Sequence, residues 1–180
     1  MTIPNLITLI RLALVPVMGY FVIAGEYGIA LIVFLAAALS DLLDGLIARG
    51  FDLTSTLGAT LDPIADKLNM FVATVLLAWQ GLIPLWLAVA IVLRDVLIVV
   101  GALVYRAVLG HIEITPTFLS KVNTFIEFTV LLVVMAAAAA WIDPGGIMSF
   151  VFAIVFVTVV ASGAQYVWIW GRKAARERRR

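Results

Sequence analysis

The chain has 180 residues, 64% of them apolar and 13% charged, against about 45–50% apolar and about 25% charged in an ordinary soluble domain. So short a chain has too much surface for its volume to hide that excess, which excludes a water-soluble globule, a disordered chain and a collagen-like fibre. The expected class is an all-α integral membrane protein, a single domain over residues 1–180. There is no cysteine, which excludes disulfides and thiolate metal sites. The net charge of +1 matters less than its distribution, because six of the twelve basic residues lie between Arg172 and Arg180.

Six apolar stretches are each long enough to cross a bilayer as a helix of about 20 residues. The first is predicted over 6–25; Arg11 interrupts it and no small-residue cleavage site follows, so no secretory signal is expected. Met1 to Asn5 form a candidate interfacial element at its start. Gly25-Glu26 lead into the second span at 28–49, and Arg49 to Ser55 into the third at 57–79. Gln80-Gly81 open the fourth at 84–108, Gly110 to Pro116 the fifth at 117–140, and Asp143-Pro144-Gly145-Gly146 the sixth at 146–170. Connections near 25–28, 80–83 and 141–146 hold no Lys or Arg, whereas the other side carries Arg49, Arg106, Lys121 and the arginine tail. The excess of positive charge puts that side, and both termini, in the cytoplasm. No internal repeat is visible, and the alanines from Ala136 to Ala140 suit close helix packing.

The informative segment runs from Asp41 to Asp66. Carboxylates at membrane depth are costly and mark function by default; this segment has Asp41, Asp44, Asp62 and Asp66. The first two are three apart and the last two four apart, so each pair shares a helix face. Counted from a turn centred near residue 53, an antiparallel hairpin brings the four together in two levels, roughly 8–18 Å below the cytoplasmic end. Like charges so close raise one another's pKa unless cations intervene. An all-oxygen ligand set suits Mg²⁺ or Mn²⁺, which commonly share phosphate oxygens with a substrate. Gly45, Ala48 and Gly58 leave room beside such ions, and Arg49 offers a fork to phosphate. The plain alternative is a set of buried ion pairs, for which Lys67 and Arg49 are too few partners.

Asp41-x2-Asp44-Gly45-x2-Ala48-Arg49-x8-Gly58-x3-Asp62-x3-Asp66 resembles, with no departure, the signature of the CDP-alcohol phosphotransferases: eight fixed positions across 26 residues. The likeness extends to the opening Pro4-Asn5-x2-Thr8-x2-Arg11 and to a region from Arg94 to Asn123. It implies transfer of a substituted phosphate from a CDP-linked alcohol to an acceptor hydroxyl, with release of CMP. It further implies two divalent cations, Mg or Mn, held by Asp41, Asp44, Asp62 and in part Asp66, with Asp66 as general base. A homodimer with a cytosol-facing cavity is also implied. By the same resemblance Asn5 and Thr8 lie beside the nucleotide, where a helix cap is the competing account. The chemistry is coherent, since cations on the pyrophosphate improve CMP as a leaving group and a nearby carboxylate can take the hydroxyl proton.

On the acceptor side, Arg94-Asp95 is either a buried ion pair or an anion clamp, and Arg106 and Lys121 either bind a phosphate or snorkel to headgroups. Taken together, Arg94, Arg106 and Lys121 are the candidate acceptor-binding residues. His111 reads as a loop residue, and Glu127 has no evident partner in the sequence. Thr115-Pro116-Thr117-x2-Ser120-Lys121-Val122-Asn123-Thr124 is similar to the cardiolipin synthase branch, which takes phosphatidylglycerol. Its phosphatidylglycerophosphate synthase relatives take glycerol 3-phosphate. That branch implies CDP-diacylglycerol as donor, the bilayer as medium, and a bacterial inner membrane with the site facing the cytoplasm. The arginine tail reads as a topology anchor attracted to anionic lipid, and nothing supports nucleic-acid binding. The rival of another class is a divalent-cation transporter, against which the first and sixth spans carry no interior acids to extend a route.

Overall fold

In a computed structural model, all regular structure among the described residues is α-helical. The helices are α1 (Ile3–Ile23), α2 (Tyr27–Phe51), α3 (Thr56–Trp79), α4 (Leu85–Leu109), α5 (Phe118–Ala138) and α6 (Ile147–Glu177). The backbone is described for residues 3–51, 56–109 and 117–177, and the side-chain surroundings for 9–40, 67–101 and 117–172. The six helices fall where the six apolar stretches do. The largest difference is at the end of α6, which runs to Glu177 rather than 170. Alanine, arginine and glutamate are good helix formers, so the charged run ends the apolar stretch without ending the helix.

Three helices end in the same way. At the end of α1, Glu26 N–H donates to the Phe21 carbonyl and Gly25 N–H to that of Val22, with Gly25 at φ 78°. After α3, Leu82 donates to Leu77 and Gly81 to Ala78, with Gly81 at φ 75°. These bonds satisfy the last orphan carbonyls, and the left-handed residue that closes them is naturally glycine. After α5 the same pair of bonds forms, Trp141 to Ala136 and Ala140 to Ala137, but the left-handed position at φ 57° is held by Ala140.

The chain divides into two compact units, residues 1–83 with 131–143 and residues 84–130 with 144–180. In the first, α1 packs on both α2 and α3. Its core comprises Val15, Met18 and Val22 of α1, Ala30, Phe34 and Ala37 of α2, Ala73 and Leu77 of α3, and Val134 and Met135. Gly19 lets α1 approach Leu76 and Val72 of α3 closely. The Gln80 side chain ties the far end of α3 to α1 by donating to the Val22 and Ile23 carbonyls at 3.2 and 3.3 Å. In the second unit, Leu87, Ala88 and Ile91 of α4 are buried, as are Phe152, Val155 and Val159 of α6. The two helices pack on each other, and Trp86 meets Phe156 edge-on at 5.3 Å. Gly101 lets α4 pass directly under the Trp170 ring, where any Cβ would overlap.

The outward faces are apolar too: Leu93, Val96 and Val100 of α4 and Phe150, Val157 and Val160 of α6 are all exposed. Helices apolar inside and out suit a hydrocarbon surround. Among the described residues, α5 and the 147–172 part of α6 are long and apolar enough to cross a membrane by length and composition. Shorter apolar helical stretches cover 9–23, 27–40 and 67–79.

A polar end to each buried stripe

Along α1 the buried residues Val22, Met18, Val15 and Arg11 recur at helical spacing and form one stripe, apolar until it reaches Arg11. The stripe of α3 runs Leu77, Ala73, Asn69, and the next position at that spacing is Asp66. On α2 it runs Ala30, Phe34, Ala37, and the next is Asp41. In the other unit, α4 runs Leu87, Ile91, Arg94; α5 runs Val130, Glu127, Asn123, Ser120; and α6 runs Val155, Val159, Ser162, Tyr166. Among the described residues, the stripes of α1, α3 and α5 turn polar toward the N-terminal end and those of α4 and α6 toward the C-terminal end. The stripe of α2 is apolar as far as it is described, and Asp41 is the next position in its sequence. Among the described buried residues, Thr74 is the exception inside an apolar half.

The helical backbone of α2 carries Asp41, Asp44, Gly45, Ala48 and Arg49, and that of α3 carries Gly58, Asp62 and Asp66. Their side chains, and those of Asn5, Thr8 and Arg106, lie outside the described residues, as does all of His111. What the backbone provides is two unbroken helices with the acid pairs in phase with the buried stripes. An all-oxygen donor set of that kind fits a hard divalent cation. Among the described residues there is no group of three or more metal-ligating side chains. Lys67, considered from sequence as a counter-charge, is exposed. Arg11, read from sequence as part of the opening motif, is 1% exposed. Its signal was a lone cation in an apolar stretch.

The acceptor-side candidates meet different fates. Arg94 is buried, and its guanidinium is gripped from three directions. Nη1 pairs with Asp95 at 2.7 Å. Nη2 donates to Ser120 Oγ at 2.6 Å and to Ser162 Oγ at 2.8 Å, and Nε reaches Ser162 Oγ at 3.3 Å. The Arg94–Asp95 ion pair, one of the two readings, is present. A Cβ at Gly163 would sit 3.7 Å from Arg94 Cγ, in ordinary van der Waals contact. Thr117 caps α5 by accepting the Ser120 N–H at 3.2 Å, while its own N–H donates to Tyr166 Oη at 3.4 Å. Lys121, next along, is exposed. Glu127 does have a partner: Asn123 Nδ2 donates to its Oε1 at 2.6 Å, one turn away and fully buried. Ser162 and Tyr166 carried no sequence signal beyond helical spacing within an apolar span. At the start of the arginine tail, Arg172 stacks 4.5 Å over the Trp168 ring.

The sequence model of the CDP-alcohol phosphatidyltransferase family matches residues 1–170, which includes every residue of the two acid-bearing helices. The chain belongs to that family. Among its relatives is a human cardiolipin synthase (CMP-forming), 34% identical over 188 residues that cover 96% of this chain and 62% of that protein. A rat cardiolipin synthase (CMP-forming) is 37% identical, covering 77% of this chain and 50% of its own length. The cardiolipin synthase (CMP-forming) of Streptomyces coelicolor is 33% identical, covering 79% and 69%. The chain thus spans about half to two thirds of the length of these family members.

Proposed function

We propose that this chain is a membrane-embedded enzyme of phospholipid synthesis that moves the phosphatidyl group of CDP-diacylglycerol onto the hydroxyl of phosphatidylglycerol, releasing CMP. The observation that carries the reading is the polar end of the buried stripes of α1, α3, α4, α5 and α6, with Asp41 next in phase on α2. In a chain that crosses the bilayer six times in alternation, N-terminal ends of odd helices and C-terminal ends of even helices share one membrane face. With both termini cytoplasmic, that face is the cytoplasmic one, where a water-borne nucleotide and lipid-borne tails can meet. The relatives' names support the acceptor. The location that fits is a bacterial inner membrane, and the working form is a homodimer.

In this reading Asp41, Asp44, Asp62 and Asp66 hold two divalent cations, Mg or Mn, and Gly45, Ala48 and Gly58 leave space for the diphosphate beside them. The cations, when bound, neutralise the pyrophosphate and lower the barrier to CMP departure. Arg49 forks onto a phosphate oxygen, and Asn5 and Thr8 border the nucleotide. Asp66 takes the proton from the acceptor hydroxyl as the new phosphorus–oxygen bond forms. Arg106 and Lys121 meet the acceptor phosphate. Arg94 belongs to the same acceptor side and acts there by fixing the first turn of α5, which carries Lys121. The test is to incubate purified chain with CDP-diacylglycerol, Mn²⁺ or Mg²⁺ and a panel of acceptor alcohols, and to identify the lipid by mass spectrometry. Cardiolipin is the expected product. Phosphatidylglycerophosphate would move the acceptor to glycerol 3-phosphate, and no CMP with any acceptor would sink the enzyme reading in favour of a cation transporter.

A further inference from the structure

Arg11 has no part in that chemistry, yet among the described residues it heads the fully buried side chains in size. A guanidinium stays charged at any relevant pH, and a buried charge persists only where an opposite charge or hydrogen bonds answer it. Arg11 is engaged by its surroundings, and two features point to what answers it.

The first is its face. Arg11 continues the Val15, Met18, Val22 stripe, and α1 packs against α2 and α3. The second is its level. α1 and α2 are joined by a tight turn around Gly25; Arg11 lies fourteen residues before it and Asp41 sixteen after, or about 21 and about 24 Å along antiparallel helices. On α3, Gly19 meets Val72 and Leu76, an offset averaging 55 residues that places Arg11 opposite position 66. The Gln80 contacts with Val22 and Ile23 give offsets of 57–58 and position 68 or 69. Arg11 is therefore level with Asp41 on one neighbour and with Asp66 to Asn69 on the other.

We propose that Arg11 is the built-in counter-charge of the deeper carboxylate level, a positioning residue that balances Asp41 and Asp66 and holds α2 and α3 in register before any cation arrives. Its consequence for cation binding rests on the proposed function, whereas the pairing itself does not. The experiment is a double-mutant cycle on the full chain in detergent with EDTA, read by thermal unfolding. It uses Arg11→Met, Asp41→Asn, Asp66→Asn and the two doubles. Arg11→Met should lower Tm by roughly 6–20 °C, because one partner of a buried pair is lost. Adding Asp66→Asn or Asp41→Asn should recover at least half of that loss, since the charge left uncompensated is then gone. Strictly additive losses at both aspartates would overturn the proposal. If Arg11→Met does not accumulate, Arg11→Gln runs the same cycle. Adding Mn²⁺ should raise Tm more in Arg11→Met than in the unaltered chain, because the cation replaces the missing charge. If Mn²⁺ leaves the unaltered chain unmoved, the metal reading fails while the cycle in EDTA still decides the pairing.

Discussion

Replacing Ser162 with alanine removes one oxygen from α6 and takes two hydrogen bonds from Arg94. Nε loses the partner seen at 3.3 Å, while Nη2 loses the 2.8 Å bond but keeps Ser120 at 2.6 Å. Arg94 is 4% exposed, so water cannot take over these donors. A hydrogen bond to a charged group contributes about 1.5–3 kcal/mol, and a buried donor left without a partner costs its full desolvation. With Nη2 still held, Ser162→Ala should cost about 1.5–3 kcal/mol, or roughly 3–12 °C in Tm for a chain of this size. Asp95→Asn is the comparison: it removes the charge facing Nη1 at 2.7 Å but keeps an amide oxygen that can accept the same bond. Thermal unfolding of both variants in the same detergent reads the two contributions separately. An unchanged Tm for Ser162→Ala would refute the view that α6 anchors Arg94.

Other outcomes follow from single positions. Ala140→Gly should raise stability by about 1 kcal/mol, because alanine there sits at φ 57° in the left-handed region; a lower Tm for the glycine variant would contradict this. Asp66→Asn should abolish turnover while retaining much of the affinity for CDP-diacylglycerol, a loss confined to the chemical step; near-normal turnover would remove Asp66 as base. Arg106→Ala or Lys121→Ala should cut kcat/KM for the acceptor roughly 10- to 150-fold, the worth of one charge-assisted bond, with donor kinetics unchanged. Unaltered acceptor kinetics would make both residues headgroup anchors.

What the sequence reveals and what it hides divide along a physical line. Helix positions are legible because apolar length and turn glycines are local properties: Gly25 and Gly81 mark their breaks by adopting a conformation that other residues resist. The spacing of Asp41 with Asp44 and of Asp62 with Asp66 likewise needs one helix at a time. Which side chains meet across helices is not local. Ser162 looks like any small residue in an apolar span until Arg94 of α4 is found against it. Glu127 lacked a partner in a linear reading that did not weigh Asn123 one turn earlier as a donor. Arg11 is a lone cation in an apolar stretch and Lys67 follows Asp66, and only the packing of the helices buries the first and leaves the second exposed.

The central claim is cation-dependent transfer at the aspartates of α2 and α3. Its most direct test follows release of labelled CMP from CDP-diacylglycerol, with phosphatidylglycerol present, while Mn²⁺ is titrated into EDTA-treated protein. The unaltered chain should be silent in EDTA and recover saturably with Mn²⁺, whereas Asp41→Asn, Asp44→Asn and Asp62→Asn should stay silent throughout. CMP release in EDTA, or full recovery in any of these three variants, would contradict the account.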